Sequence, residues 1–174
     1  MRIVNNLSDF VLQEFESKSE LVEFVEGHQS IVINANCIDM KKFYGISIKT
    51  IDSTFIGIIG GGHGIEPSIL INKMDSCSLI GIDEKVYCVD LKNFENRWIK
   101  EFDSIVYEVV KATDSTFLVI CELGVVSLTY SGEKLWEHTS DVITDFELSS
   151  NILRLSTEEE EYSLLLANGN IVDK

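Results

Sequence analysis

Apolar and polar positions alternate with a period of two along much of the chain. In YGISIKT, residues 44–50, Ile46 and Ile48 fall on one face and Ser47 and Lys49 on the other, the pattern of a half-buried strand. Shorter runs recur at Ile31–Ile33, Phe55–Ile59 and Ser68–Asn72, with a turn at Ile51-Asp52-Ser53 and the only proline, Pro67, just before the last run, a place a strand tolerates it. From Asp75 onward the pattern predicts strands at Leu79–Ile82, Val86–Leu91, Arg97–Lys100, Val106–Lys111, Phe117–Glu122 and Val125–Tyr130. Further strands follow at Lys134–His138, Val142–Leu148, Ile152–Leu155, Tyr162–Ala167 and Ile171–Val172. Asn168-Gly169 suits a two-residue type I′ turn, in which both central residues need positive φ. So many strands at short turn spacing predict a chain that is mostly antiparallel β.

One helix signal interrupts this pattern. Ser17 is followed three residues later by Glu20, a capping box in which each side chain satisfies an orphan backbone N–H. Leu21, Val22, Phe24 and Val25 then form an apolar stripe, and Gly27 is a natural stop. A helix that short is marginal alone and needs a sheet to pack on. The preceding Asp9–Glu16 alternates and reads as a strand.

The strands also repeat. Thr116–Trp136 is the best-formed unit, Ser78–Trp98 is a weaker copy, and Tyr162–Val172 is a fragment of a third. Trp98 and Trp136 lie 38 residues apart, and Gly132 and Gly169 lie 37 apart. A period near 40 with about four strands per unit marks a propeller blade. The fragments VYCVDLKNFENRW and GVVSLTYSGEKLW resemble the blades of quinoprotein-type (PQQ-like) propellers, in which a glycine turn precedes an outer strand that carries a tryptophan. The first copy lacks the turn glycine, and the third, LLANGNIVD, lacks the tryptophan. The resemblance covers about residues 77–173, and the recurrence of Trp98 and Trp136 at the repeat period reads as packing that pins neighbouring blades together. Two to three blades cannot close a ring, which takes at least about four. The expected fold is therefore mainly β: an open, propeller-like stack of antiparallel sheets with one short N-terminal helix, whose exposed edges the helix or a partner covers. A β-sandwich or an open barrel is the alternative, since both need the same alternation. Residues 1–174 read as a single domain, with 1–30 as an N-terminal strand and helix cap and 77–173 as the blade-like repeats.

Charge narrows the function classes. The net charge is −15, with 14 basic residues scattered among 29 acidic ones, which opposes binding to nucleic acid. No run of 18 apolar residues is present, so no membrane span is expected. The start, MRIVNNLSDF, turns polar at Asn5-Asn6 without an apolar leader core, from which a cytoplasmic location is expected. Cys37, Cys77, Cys88 and Cys121 lie far apart in or beside apolar runs and read as buried free thiols. Neither cysteine nor histidine spacing fits a metal site, and no cofactor is expected.

Two stretches carry candidate chemistry. Glu158-Glu159-Glu160-Glu161 is the one charge run, read either as a solvated turn or as an acidic patch that docks a Lys/Arg-rich partner. Asp83 and Glu84 belong to that patch if the hairpin ends cluster on one side, as do Glu133, Glu137 and Asp141. Gly60 to Glu66, GGGHGIE, is not a phosphate loop, because no Gly-Lys-Ser/Thr follows. It reads as a hairpin loop, or as a ligand loop in which Gly61 and Gly62 admit a close approach and His63 acts as a base near Glu66. His28 and His138 are isolated. The expectation is a protein–protein interaction module, not an enzyme. Its concrete class is a bacterial immunity protein that occludes the basic active site of a toxin. A small-ligand binder or enzyme built on the Gly60–Gly64 loop is one alternative. A structural subunit that completes a β-assembly, with oligomerisation open, is the other.

Overall fold

The computed structural model describes residues 2–7, 9–34, 42–49 and 54–173. Four sheets stack in chain order. The first contains β1 (Arg2–Asn6), β2 (Phe10–Phe15), β3 (Ser30–Asn34), β4 (Lys42–Ile48) and β5 (Thr54–Gly60), in the order β1-β2-β4-β5-β3. β3 pairs parallel to β5, among the described residues the one departure from the antiparallel expectation. The helix α1 (Lys18–Val25) joins β2 to β3 and supplies the crossover that strands of one direction require. The expected turn at 51–53, and Cys37, lie outside the described residues.

Helix α1 starts where the cap predicts. The Ser17 hydroxyl accepts the Glu20 N–H at 3.3 Å, while the Glu20 carboxylate accepts the N–H of Glu16 at 3.3 Å, one residue before the cap. Leu21 and Val25 are buried, and Leu21 joins Phe15, Ile59, Phe24 and Phe43 in a small core on one face of the sheet. Gly45 on β4 provides the seat, because a Cβ there would lie 2.5 Å from the Phe24 ring and 2.8 Å from Phe15. The helix thus covers a face of the first sheet, not the sheet edge expected from the sequence.

Three blades follow, each a four-stranded antiparallel meander. The first is β6 (Ser68–Asn72), β7 (Cys77–Ile82), β8 (Lys85–Asp90) and β9 (Glu95–Glu101). The second is β10 (Val106–Lys111), β11 (Thr116–Cys121), β12 (Gly124–Thr129) and β13 (Lys134–Thr139). The third is β14 (Ile143–Leu148), β15 (Ile152–Thr157), β16 (Glu161–Leu165) and β17 (Ile171–Asp173). The repeats therefore begin at Ser68, ahead of the expected residue 77, and the third blade is whole. The fold is an open, propeller-like stack. It is neither a sandwich of two sheets nor a closed barrel.

Side-chain parity decides which sheets touch. On β7, Ile80 and Ile82 pack with Phe10, Ile46 and Ile58 of the first sheet, while Cys77 and Leu79 pack with Phe117, Val119 and Val126 of the second blade. On β11, Leu118 and Ile120 turn the other way and meet Ile143, Leu153 and Leu164 of the third. Strands buried on both faces read as unbroken apolar runs: all six residues of β7 are buried, and five of six in β11. The third blade differs. β15 alternates buried Leu153 and Leu155 with exposed Arg154, and β16 buries Tyr162 and Leu164 but not Ser163. Its far face carries Asp145, Glu147, Arg154, Glu161 and Asp173, a polar end surface of the kind that terminal repeats present to water.

The tryptophans pin one blade to the next. Trp98 Nε1–H donates to Tyr130 O at 3.0 Å, and Trp136 Nε1–H donates to Leu166 O at 2.8 Å. Each indole lies on the glycine of the following blade's last turn, 3.1 Å from where a Gly132 Cβ would be and 2.6 Å from where a Gly169 Cβ would be. Only Gly169 of the Asn168-Gly169 pair has positive φ, and its N–H reaches back to Leu165 O at 2.8 Å, so this turn is longer than the two-residue type I′ form. The first blade makes the same reach with Phe94 (φ 57°), whose N–H donates to Asp90 O at 3.0 Å. No indole docks on Phe94, because no blade precedes it. β17 carries no tryptophan. The three described blades share two indole-on-glycine interfaces.

Candidate interaction rim

Strand direction sorts the turns of the blades. In a meander the second and third strands meet at the end where the blade was entered. The β7–β8, β11–β12 and β15–β16 turns therefore share one rim with the links 102–105 and 140–142. Backbone hydrogen bonds fasten that rim: Phe102 N–H to Glu84 O at 2.8 Å, Val106 N–H to Asp83 O at 2.7 Å, Glu122 N–H to Ile105 O at 2.8 Å and Ile143 N–H to Glu122 O at 2.8 Å.

Carboxylates collect there. Glu84 and Glu122 are half-buried, and Glu101, Asp103, Asp141 and Glu158–Glu161 are exposed. Within the Glu158–Glu160 turn, Thr157 Oγ1 accepts the Glu160 N–H at 3.1 Å and holds the backbone while the carboxylates project. Asp83 shares the rim but is only 6% exposed, and its Oδ2 accepts the Gly61 N–H at 3.0 Å. It braces the turn from inside instead of facing a partner. Glu133 follows the β12–β13 turn at the opposite rim, and Glu137 lies within β13, paired to Lys134 at 2.7 Å, so neither extends the patch as the sequence suggested.

The glycine loop reaches the same rim from the first sheet. His63 Nε2 lies 2.8 Å from Glu84 Oε1, so the candidate ligand loop and the candidate acidic patch are neighbours. Glu66 does not pair with His63. It binds Arg2 at 3.0 Å, and Arg2 also holds Glu14 at 2.8 Å. Gly62 is half-buried beside them, within a turn that begins at Gly61 with φ 85°. Lys42 donates to Glu14 at 2.6 Å, and that bond holds the Glu14 carboxyl below its ordinary value. Arg2 and Lys42 are thus neutralised locally, Lys85 lies 4.0 Å from Glu101, and the remaining acidity runs across the three blades. The opposite rim carries Lys73 and Lys92 on turns and Lys49, Lys111 and Lys134 at strand ends, interspersed with Asp9, Asp75, Asp90, Asp114 and Glu133. His28 stacks on Phe55 with ring centres 4.1 Å apart, and His138 is half-buried against Tyr162 instead of standing free. Among the described residues no three His, Cys, Asp or Glu side chains group as a metal site. No helix among them is long and apolar enough to cross a membrane.

Asp103, Glu101 and Glu122 were not among the expected rim residues. They lie far from the Glu158–Glu161 run in sequence, and only counting turns by parity places them with Glu158.

No family model matches the chain, and no curated protein matches it in sequence. Solved structures do match. The computationally designed Ika8 protein superposes with a TM-score of 0.56 at 15% identity, over 78% of this chain and 46% of that one. BamB from Moraxella catarrhalis gives 0.50 at 14% identity, over 76% of this chain and 45% of that one. The β-propeller domain of Cps50 (Swd1) from Myceliophteria thermophila gives 0.52 at 12% identity, over 62% and 36%. The chain thus spans less than half the length of these three proteins. The similarity is one of fold: the blades are propeller blades in an unclosed row.

Proposed function

We propose that this protein is a protein–protein interaction module that docks a basic partner on its acidic rim. One observation carries the reading: turn parity brings Glu84, Glu101, Asp103, Glu122, Asp141 and Glu158–Glu161 from separate stretches of sequence to one rim, while the turn lysines go to the other. A surface of one sign steers a partner of the other sign and fixes its orientation. Hydrogen bonds between its turns and links fasten the rim's backbone, which lowers the cost of ordering that backbone on binding.

The concrete form of the proposal is a bacterial, cytoplasmic immunity protein that covers a toxin's basic active site. Its action is binding and not catalysis: the rim supplies acceptors and charge, and the partner's activity stops because its site is occluded. The indole-on-glycine docking supports assigning the blades to the quinoprotein type, with no cofactor held.

The test is capture by the tagged protein, followed by Kd measurement with the purified partner. Exposed ion pairs are each worth a few tenths of a kcal/mol, so changing Glu84, Glu122, Glu158, Glu159 and Glu160 to Gln together should weaken binding by about tenfold or more. Glu133→Gln, on the other rim, should leave it unchanged. Equal weakening by both variants, or by neither, would remove the rim from the interface.

A further inference from the structure

We infer that the lysine rim holds a second site, a cleft between the first sheet and the first blade that binds a small organic anion with an apolar body. The cleft has a volume of about 730 Å³, within the range of about 300–1,000 Å³ in which small-molecule sites fall. Its apolar wall is Ile48, Ile71 and Leu91, contributed by β4, β6 and the turn after β8. Ile48 is 1% exposed, and Ile71 and Leu91 pack against the core between the two sheets. Thr54 and Ser76 add hydroxyls to the lining.

Three ammonium groups line the same space: Lys49, Lys73 and Lys92. Among the described residues one carboxylate joins them, Asp9, which pairs with Lys73 at 2.7 Å. In a chain of net charge −15 this local excess of cations is against the trend. Lys49 is held in place by donating to Leu7 O at 2.7 Å. Lys73 gives one of its three donors to Asp9 and keeps two, and the Lys92 ammonium has no partner among the described residues. Apolar wall and cationic edge together select a carboxylate, sulfonate or phosphate ester on an aliphatic or aromatic body. A bare inorganic anion would leave the wall unused, and a neutral apolar molecule would leave the ammonium groups unused. Because the two halves of the cleft come from different sheets, such a ligand would also tie the first sheet to the first blade. This inference does not rest on the acidic rim, and the two stand or fall separately.

The test uses the 174-residue chain and two probes that share a ring system, 8-anilinonaphthalene-1-sulfonate and the uncharged N-phenyl-1-naphthylamine. The sulfonate is expected to bind at one saturable site by fluorescence titration, at least tenfold more tightly than the amine. Amide shifts on titration should cluster at Lys49, Thr54, Lys73, Ser76 and Lys92. Lys73→Gln and Lys92→Gln should each weaken the sulfonate about tenfold, while Lys111→Gln elsewhere on the rim should not. Lys92→Gln breaks no contact, so it stays decisive even if loss of the Asp9 pair disturbs the fold in Lys73→Gln. Equal affinity for the two probes, shifts centred elsewhere, no saturable binding, or an unchanged Kd in Lys92→Gln would each overturn the inference.

Discussion

Gly169→Ala probes the docking of the last blade most sharply. Gly169 has φ 71°, and a Cβ there would lie 2.6 Å from Trp136 Cε3 and 2.9 Å from Cδ2. Holding alanine in that left-handed conformation costs about 1–2 kcal/mol. The indole cannot retreat without stretching its 2.8 Å hydrogen bond to Leu166 O, and overpacking of this kind adds about 1–3 kcal/mol. The expected loss is therefore about 2–5 kcal/mol in all. Gly27→Ala is the control, because Gly27 has φ 76° and nothing lies within 4 Å of its would-be Cβ. It should show the backbone cost alone. Trp136→Ala should itself cost about 3–5 kcal/mol, but Gly169→Ala made in that background should fall back to the Gly27 value. Urea unfolding followed by far-UV circular dichroism gives the four stabilities. Hydrogen exchange over residues 143–173 reports whether the third blade opens alone, as a stack with only nearest-neighbour contacts allows. Equal costs for Gly169→Ala with and without Trp136, or a cost no larger than that of Gly27→Ala, would refute docking of the indole on the turn.

Three further outcomes are expected. Gly45→Ala should lower stability by about 2 kcal/mol in urea unfolding, because its methyl displaces the Phe24 and Phe15 rings that seat α1. The Asp90 carboxyl is held below its ordinary value first by the Asn93 N–H, and also by the Lys92 N–H and Arg97. Its stabilisation is therefore full above the ordinary carboxylate range and lost as pH falls through the lowered folded value; Asp90→Asn should cost about 1 kcal/mol after solvent screening at neutral pH and progressively less as pH falls through that value. Burial pushes the Cys121 thiol up to about 12, and the hydrogen bond between Cys88 and Cys77, followed by burial, raises Cys88. In a Cys37→Ser background, labelling of these two thiols by a disulfide reagent at pH 8 should occur only at the rate of unfolding.

The strands were largely readable because each is bounded by turn residues and carries a period-two or unbroken apolar run; Ser68–Asn72 and Val106–Lys111 match residue for residue. The parallel pairing of β3 with β5 was not readable, since alternation reports exposure and not direction. The tryptophans and glycines leave the blade count at two to three because they belong to interfaces: the three blades share two, and the first lacks the turn glycine while the third lacks the tryptophan. A better signal was present in the change from TFLVIC, buried on both faces, to ILRLST, which alternates and so marks a blade with one wet face. At the rim, Glu158–Glu161 stood out as a run, and Glu84 was reached by supposing that hairpin ends cluster. Asp83 was misplaced as a docking group because sequence does not show a carboxylate turned inward to cap Gly61 N–H. The lysine cleft was invisible, because Lys49, Lys73 and Lys92 converge only after two sheets pack.

The central claim is that the acidic rim forms the binding surface. Its most direct test is the salt dependence of Kd for the captured partner, measured from low to high ionic strength with the native protein and with the variant carrying Gln at 84, 122, 158, 159 and 160. Charge-driven docking predicts affinity that falls steeply with salt for the native protein, and a shallow dependence for the variant. A native affinity insensitive to salt, or the same slope in both proteins, would contradict it.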